Sequence, residues 1–409
     1  MGSDIKSYTV AVPDEVLAKL KSKLDAADLP QRVDFEDDWK YGTPAADVRR
    51  LAAYWRDGFD WRAQEKKINQ LPQFTTRSRL MALARLTSTL STKRARMRKA
   101  SRFFSAMALA GPGSFLEVEK ILPLLTEKSN GVSFHVVAPS LPNYAFSDGA
   151  TKKGFGPHQY AETLHKLMQK LGYNKYGQDI VTQGGDWGYM NTRRLGADYP
   201  ESCVASHVNM AFRGPPTFRE TPLTWLQHAL LPWSVDEKKG RARSAWFREE
   251  GYGYNALQST KPATLGFAFA DSPVAVLAWI YEKLHDWTDA YPWTDDEVLT
   301  WVSVYVFSNA GPEASARIYY ETKHAPESAA ITTGYNGKVP LGVSQFPRDI
   351  IVIPRLWYHG LGPIAFEKRH KDGGHFAAFE RPQELVEDLR TMFGRNGGAY
   401  SVTKTLAKL

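Results

Sequence analysis

DIVTQGGDWGYM, residues 179–190, sets Gly184-Gly185-Asp186-Trp187-Gly188 between two runs of different texture. YGQDIVTQ before it reads as a buried strand, and YMNTRRLGADYP after it reads as a helix stopped near Pro200. Small residues two before and two after a central side chain mark the strained strand-to-helix turn that presents a nucleophile, normally a serine. Here an aspartate occupies the centre. Taken alone, the pentapeptide fits equally an ordinary Gly-Gly-Asp turn in which Asp186 only caps the next helix.

Working outward, VSFHVVAPSLP (132–142) and CVASHVNM (203–210) read as strands, and HQYAETLHKLMQKLGY (158–173) as an amphipathic helix. Such alternation predicts an α/β fold, a mostly parallel sheet with helices on both faces. Residues 216–325 interrupt it with Trp- and Pro-punctuated helices, a helical lid, before VPLGVSQF and GPIAFEKRH resume as strands and PQELVEDLRTMFG closes as a helix. Upstream, PDEVLAKLKSKLDAADLP predicts a helix closed by Pro30, and Thr43 is the expected N-cap of a second. The expected division is therefore an N-terminal helical segment (1–76), a basic segment (77–110), a first core part (111–215), the lid (216–325) and a second core part (326–409).

Two later stretches suit the elbow. GGHFAAFERP places His375 in a glycine-preceded loop before the closing helix, and SQFPRDIIVIP places Asp349 just past a strand. Nucleophile, acid and base in the order Asp186, Asp349, His375 is the order of the α/β-hydrolases. A carboxylate needs no deprotonation at neutral pH and can displace at a saturated carbon; water then cleaves the resulting ester. That chemistry suits epoxides and alkyl halides. An epoxide leaves an alkoxide that needs O–H donors, and REEGYGYNALQSTKP and ASARIYYETKH supply lid tyrosines, as donors or as packed aromatics.

GGDWG, QSTKPATLGFAFADSPVAVLAWIYEK, FPRD and GGHFAAFERP together resemble the epoxide hydrolases of the microsomal-type branch, most like its fungal relatives without a membrane anchor. The resemblance covers residues 4–76 and 111–395. It implies an α/β-hydrolase core with a helical lid and a helical N-terminal extension, and hydrolysis of an epoxide to a vicinal diol without cofactor or metal. It implies Asp186 as nucleophile, His375 as general base, Asp349 as its orienting acid, and Tyr254 and Tyr319 as oxygen donors, with Tyr252 and Tyr320 as neighbouring alternatives. The backbone N–H groups of Trp187 and Gly111 are the implied oxyanion donors. The competing readings are a haloalkane dehalogenase-like hydrolase and a catalytically impaired pseudoenzyme.

The family's His-Gly-Xaa-Pro loop is the point of departure, because Leu109-Ala110-Gly111-Pro112 stands there. Nine basic residues and no acidic one lie between Arg77 and Arg102, and without them the net charge of +8 becomes −1. This segment lacks the Val- and Ile-rich runs expected of early strands. A shift of reading frame explains it: one choice of codons for residues 82–92, read one base earlier, encodes Gly-Phe-Gly-Thr-Leu-Asp-Val-His-Phe-Val-His. The alternative is a basic arm for nucleic acid or anionic lipid, disfavoured by the absence of interleaved aromatics.

The remaining composition excludes much. The chain's 409 residues, 43% hydrophobic and 23% charged, describe a globular protein, and a single cysteine, Cys203, excludes an internal disulfide framework. MGSDIKSYTV has no signal-peptide core, and no run approaches the ~18 apolar residues of a membrane span. A cytoplasmic location is expected, with the terminal Ala-Lys-Leu as a variant of the peroxisomal address. The expected partner is a small-molecule epoxide, with neither nucleic acid nor a membrane span, and with homodimerisation left open.

Overall fold

A computed structural model describes residues 5–79, 85–93, 101–105, 114–127, 129, 132–173 and 180–404. After a short strand β1 (Lys6–Ser7), three helices form the N-terminal segment: α1 (Asp14–Asp25), α2 (Ala45–Asp57) and α3 (Trp61–Ile68). Asp14 and Glu15 in the first turn of α1 and Lys23 in its last favour the helix dipole, while Leu20 and Leu24 are buried. The helix ends at Asp25, before Pro30 is reached. Thr43 is not the cap of α2. Pro44 takes that place, and the Thr43 hydroxyl donates to the Ala278 carbonyl at 2.8 Å, fastening the extension to the lid.

The sheet follows with β2 (Gln73–Arg79), β3 (Arg85–Lys93), β4 (Ser101–Ser105), β5 (Phe134–Pro139), β6 (Ile180–Gly184), β7 (Cys203–Val208), β8 (Leu341–Gln345) and β9 (Ile364–Arg369). Among the described residues its nine strands lie in the order β1-β2-β3-β5-β4-β6-β7-β8-β9. Pairing is antiparallel from β1 to β5 and parallel from β5 through β4 to β9. The expectation that residues 77–110 lack early strands is therefore corrected. RLTSTLSTK carries three β-branched threonines, which suit a pleated ladder as valine and isoleucine do, and the ladder bonds use backbone groups that every residue but proline possesses.

Helices α4 (Ile121–Thr126), α5 (Pro157–Lys170) and α6 (Trp187–Asp198) connect the first strands, and α15 (Ala377–Glu380), α16 (Pro382–Phe393) and α17 (Tyr400–Lys404) close the chain; α7 to α14 are the lid helices given below. Successive strand residues feed opposite faces: Val137 and Ile180 pack with α5, and Val136 and Val181 pack with α4 and α16. Parallel strands covered on both sides place all their C-terminal ends on one edge, where ligands are bound in such sheets.

Between β7 and β8 run α7 (Pro222–Leu230), α8 (Val235–Trp246), α9 (Gly253–Gln258), α10 (Pro262–Asp271), α11 (Pro273–Asp286), α12 (Asp295–Val306), α13 (Arg317–Lys323) and α14 (Glu327–Thr333). The starts of α8, α11 and α12 are set by Ser234, Ser272 and Thr294, whose side chains accept from the N–H of Glu237, Ala275 and Glu297. No single helix among the described residues is long and apolar enough to cross a membrane.

Candidate active site

At the C-terminal end of β6 the chain turns directly into α6, and Asp186 takes the turn at φ 49° and ψ −120°, a conformation costly for any residue with a side chain. A Cβ on Gly184 would collide with the Gly188 backbone, and one on Gly185 would sit 2.6 Å from the Asn209 amide. The glycines permit this turn and Asn209, held by Gln183 Nε2 at 2.8 Å, braces it. Asp186 does accept from the first N–H of α6, Trp187 N to Oδ1 at 2.7 Å, as a capping residue would. Its other oxygen has a different partner.

Oδ2 of Asp186 lies 3.1 Å from His375 Nε2, and His375 Nδ1 lies 2.7 Å from Asp349 Oδ1. Asp349 Oδ1 also accepts from Ile350 N at 2.7 Å. All three side chains are buried. The imidazole is therefore flanked by two carboxylates. Burial alone pulls its pKa down, yet Asp349 and Asp186 outweigh that and raise it to about 10.

The histidine loop is clamped by groups that the sequence did not single out. His375 N donates to the Trp287 carbonyl at 2.7 Å, and a Cβ on Gly374 would approach that same carbonyl at 2.5 Å. The Glu380 carboxylate accepts from Asp289 N, Gly374 N and Phe376 N at 2.8, 3.1 and 3.0 Å. Burial pushes Glu380 up to about 7. Glu117, fully buried behind the same centre, accepts from Ser114 N at 3.1 Å and is held well above the usual carboxylate range by burial. Only FERP and GSFLE in the sequence carried these two carboxylates, and neither spacing reveals burial.

A cavity of about 910 Å³ opens above Asp186 and Trp187, and both Tyr254 and Tyr319 line it. Their rings meet edge to face with centroids 5.8 Å apart, and Tyr319 stands edge-on to Trp187 at 5.0 Å. Burial, reinforced by the Asp186 charge, holds both phenols well above the usual range, so they keep their protons. Of the alternatives, Tyr252 lines the same cavity but is 44% exposed, and Tyr320 is 39% exposed and lines a separate depression with Lys152 and Glu321. Gly111 lies outside the described residues. Among the described residues no group of three or more His, Cys, Asp or Glu side chains is arranged to hold a metal ion.

Comparison with known proteins gives the chain its family. The family model described as epoxide hydrolase N terminus matches residues 5–118, continuing through the basic segment. Epoxide hydrolase 1 of Sus scrofa is 30% identical over 421 aligned residues, covering 95% of this chain and 88% of its own length. The structure of Aspergillus niger epoxide hydrolase superposes with a TM-score of 0.81 at 33% identity, over 94% of each chain. The juvenile hormone epoxide hydrolase of the silkworm Bombyx mori shares the fold, with a TM-score of 0.83 at 24% identity, over 99% of this chain and 95% of that one. By its sequence relatives, its fold and its N-terminal segment, the chain belongs to the epoxide hydrolases, enzymes of the α/β-hydrolase fold that convert epoxides to vicinal diols.

Proposed function

We propose that Asp186 carries epoxide hydrolysis through an alkyl-enzyme ester, and the observation that supports this most is the buried Asp186, His375, Asp349 chain beneath a cavity lined by two protonated tyrosines. Oδ2 of Asp186 attacks an epoxide carbon, the C–O bond breaks, and Tyr254 and Tyr319 donate to the developing alkoxide. Esterification removes one of the two negative charges that keep His375 protonated, so its proton becomes available to the alkoxide. Neutral His375 then takes a proton from water, whose oxygen attacks Cγ of Asp186. The Trp187 N–H that already holds Oδ1 receives the oxyanion, with Gly111 as the second donor. Collapse releases the diol, and Asp186 is again a carboxylate beside protonated His375, so the proton count closes.

Repeated turnover in H₂¹⁸O tests this: heavy oxygen is expected in the Asp186 carboxylate, read by mass spectrometry of its peptide. Diol formation with an unlabelled Asp186 rejects the ester. A halide reading would need N–H donors where the two phenols stand.

We also propose that two copies associate through α7. This helix buries none of its residues, and Leu223, Leu226 and Leu230 form an exposed stripe, 78%, 46% and 72% accessible. Light scattering of the purified chain is expected to give a dimer, and Leu226→Glu with Leu230→Glu a monomer. A dimer surviving both substitutions rejects this surface.

A further inference from the structure

The cavity above Asp186 is charged at its two ends and apolar between them. Among the described residues Asp186 is the single carboxylate that lines it, while Arg213, Arg241 and Arg248 line it too. Arg241 and Arg248 are exposed and Arg213 is half-buried, whereas Asp186, Trp187, Tyr254 and Tyr319 are buried. Among the charged lining groups, the arginines that meet solvent mark the mouth and buried Asp186 marks the floor. Phe212, Phe247, Ile350, Val352, Ile353 and Trp357 give the cavity apolar walls.

The three guanidinium groups are not equally committed. Arg213 pairs with Glu220 at 2.5 Å and donates to the Thr333 carbonyl at 2.8 Å. Arg241 rests on the Trp233 ring, 3.4 Å from its centroid, a contact that orients the planar group while leaving its edge donors for a ligand. Arg248 makes no hydrogen bond or ion pair with the described residues, and its exposed neighbours Glu249 and Glu250 do not line the cavity. At the floor, two carboxylates and one imidazolium leave a net negative charge, which repels an anion from that end.

We propose that the preferred substrates are amphiphilic epoxides: an elongated apolar body with the epoxide at the floor and an anionic group, such as a carboxylate, at Arg241 and Arg248. This inference rests on Asp186 being the nucleophile. A volume of about 910 Å³ lies near the upper end of the roughly 300–1,000 Å³ typical of small-molecule sites, room for a chain and not only a ring. Opposite charges at the two ends admit one direction of entry.

The test compares the terminal epoxide of undecenoic acid with its methyl ester, each below its aggregation threshold, on the full chain. The acid is expected to show the higher kcat/KM by about fivefold to tenfold, as two exposed ion pairs allow, mainly through KM and shrinking with added salt. Arg241→Gln with Arg248→Gln should bring the acid-to-ester ratio near one, and the two lysine replacements should restore part of it. Taking the ratio within each variant cancels any loss of folded protein. Equal kcat/KM for acid and ester in the unaltered chain, or an advantage that survives the double glutamine variant, overturns the anion site and leaves Asp186 untouched. Turnover surviving in Asp186→Asn overturns the nucleophile assignment and this inference with it.

Discussion

At Asp186 and His375 the reaction proposed above is ordered by one exchange of charge. In the proposed mechanism the two carboxylates beside the buried imidazole keep it protonated until one of them is esterified, so that it draws no water into the site before there is an ester to cleave. His375→Gln is expected to leave ester formation in place and slow its hydrolysis by about 10²–10⁴, so that intact-mass measurement finds the substrate adduct on Asp186. A variant that accumulates no adduct speaks against His375 as the base. Hydrolysis of a pre-formed ester, followed by rapid quench, should accelerate with pH around a midpoint below 10, because the Asp186 charge is then missing. For folding, the raised His375 pKa works in one direction. Its contribution is complete below the unfolded value near 6.5 and is lost as pH rises through about 10. Replacing Tyr254 or Tyr319 by Phe should slow ester formation about tenfold or more while leaving ester hydrolysis unchanged, a split that single-turnover kinetics resolves.

Among the elements, those that hold the triad are spent on geometry more than on stability. The elbow between β6 and α6 needs Gly184 because a Cβ there would lie 2.4 Å from the Gly188 carbonyl carbon. Gly184→Ala should abolish activity, and circular dichroism should show a retained fold if the collision is confined to the turn. The loop bearing His375 is fixed to the end of α11 by the Trp287 carbonyl and to α15 by the Glu380 carboxylate. Glu380→Ala strands three backbone donors, at about 1–3 kcal/mol for each that remains buried and unpaired, and a lower Tm should accompany slower ester hydrolysis. An unchanged Tm would show those N–H groups satisfied by water. Burial raises Glu380 in the folded state to about 7, so its part in stability is complete below the unfolded carboxylate value and fades as pH rises through about 7.

On the scale of the molecule, the N-terminal extension, sheet and lid form one structure whose weakest sequence lies within the sheet. β3 joins the sheet through β5, and β4 through β5 and β6; RLTSTLSTK has threonines that suit a ladder but few of the apolar residues a covered strand prefers. Replacing residues 82–92 with Gly-Phe-Gly-Thr-Leu-Asp-Val-His-Phe-Val-His, the other frame's product, is expected to raise soluble yield and to lift Tm by a few degrees. That rise would reflect apolar side chains worth roughly 1.5–3 kcal/mol each when buried. A fall in Tm would show the present segment to be the better fit, and the genomic DNA across codons 76 to 112 decides the frame directly. The replacement removes Arg85 and adds an aspartate, so a slightly lower affinity for cation exchangers should accompany it.

Turn chemistry, strand–helix alternation and the order of Asp186, Asp349 and His375 were legible in the sequence, because a strained turn leaves glycines behind and a covered strand leaves an apolar run. The same local signals misplaced the cap at Thr43, whose hydroxyl is taken by a residue 235 positions away. They also denied strands to residues 77–110, since ladder bonds lie in the backbone and leave only a faint mark in side-chain type. Glu117, Glu380 and the Trp287 carbonyl were invisible for a related reason: a carboxylate in GSFLE or FERP looks like any surface acid until the fold withdraws water from it. What the sequence determined by itself was which groups could react and in what order they occur along the chain. Only the tertiary structure decided that His375 lies between two carboxylates, that Tyr254 and Tyr319 rather than their neighbours are buried over Asp186, and that three arginines line the same cavity, because charge, burial and distance are properties of assembled surfaces.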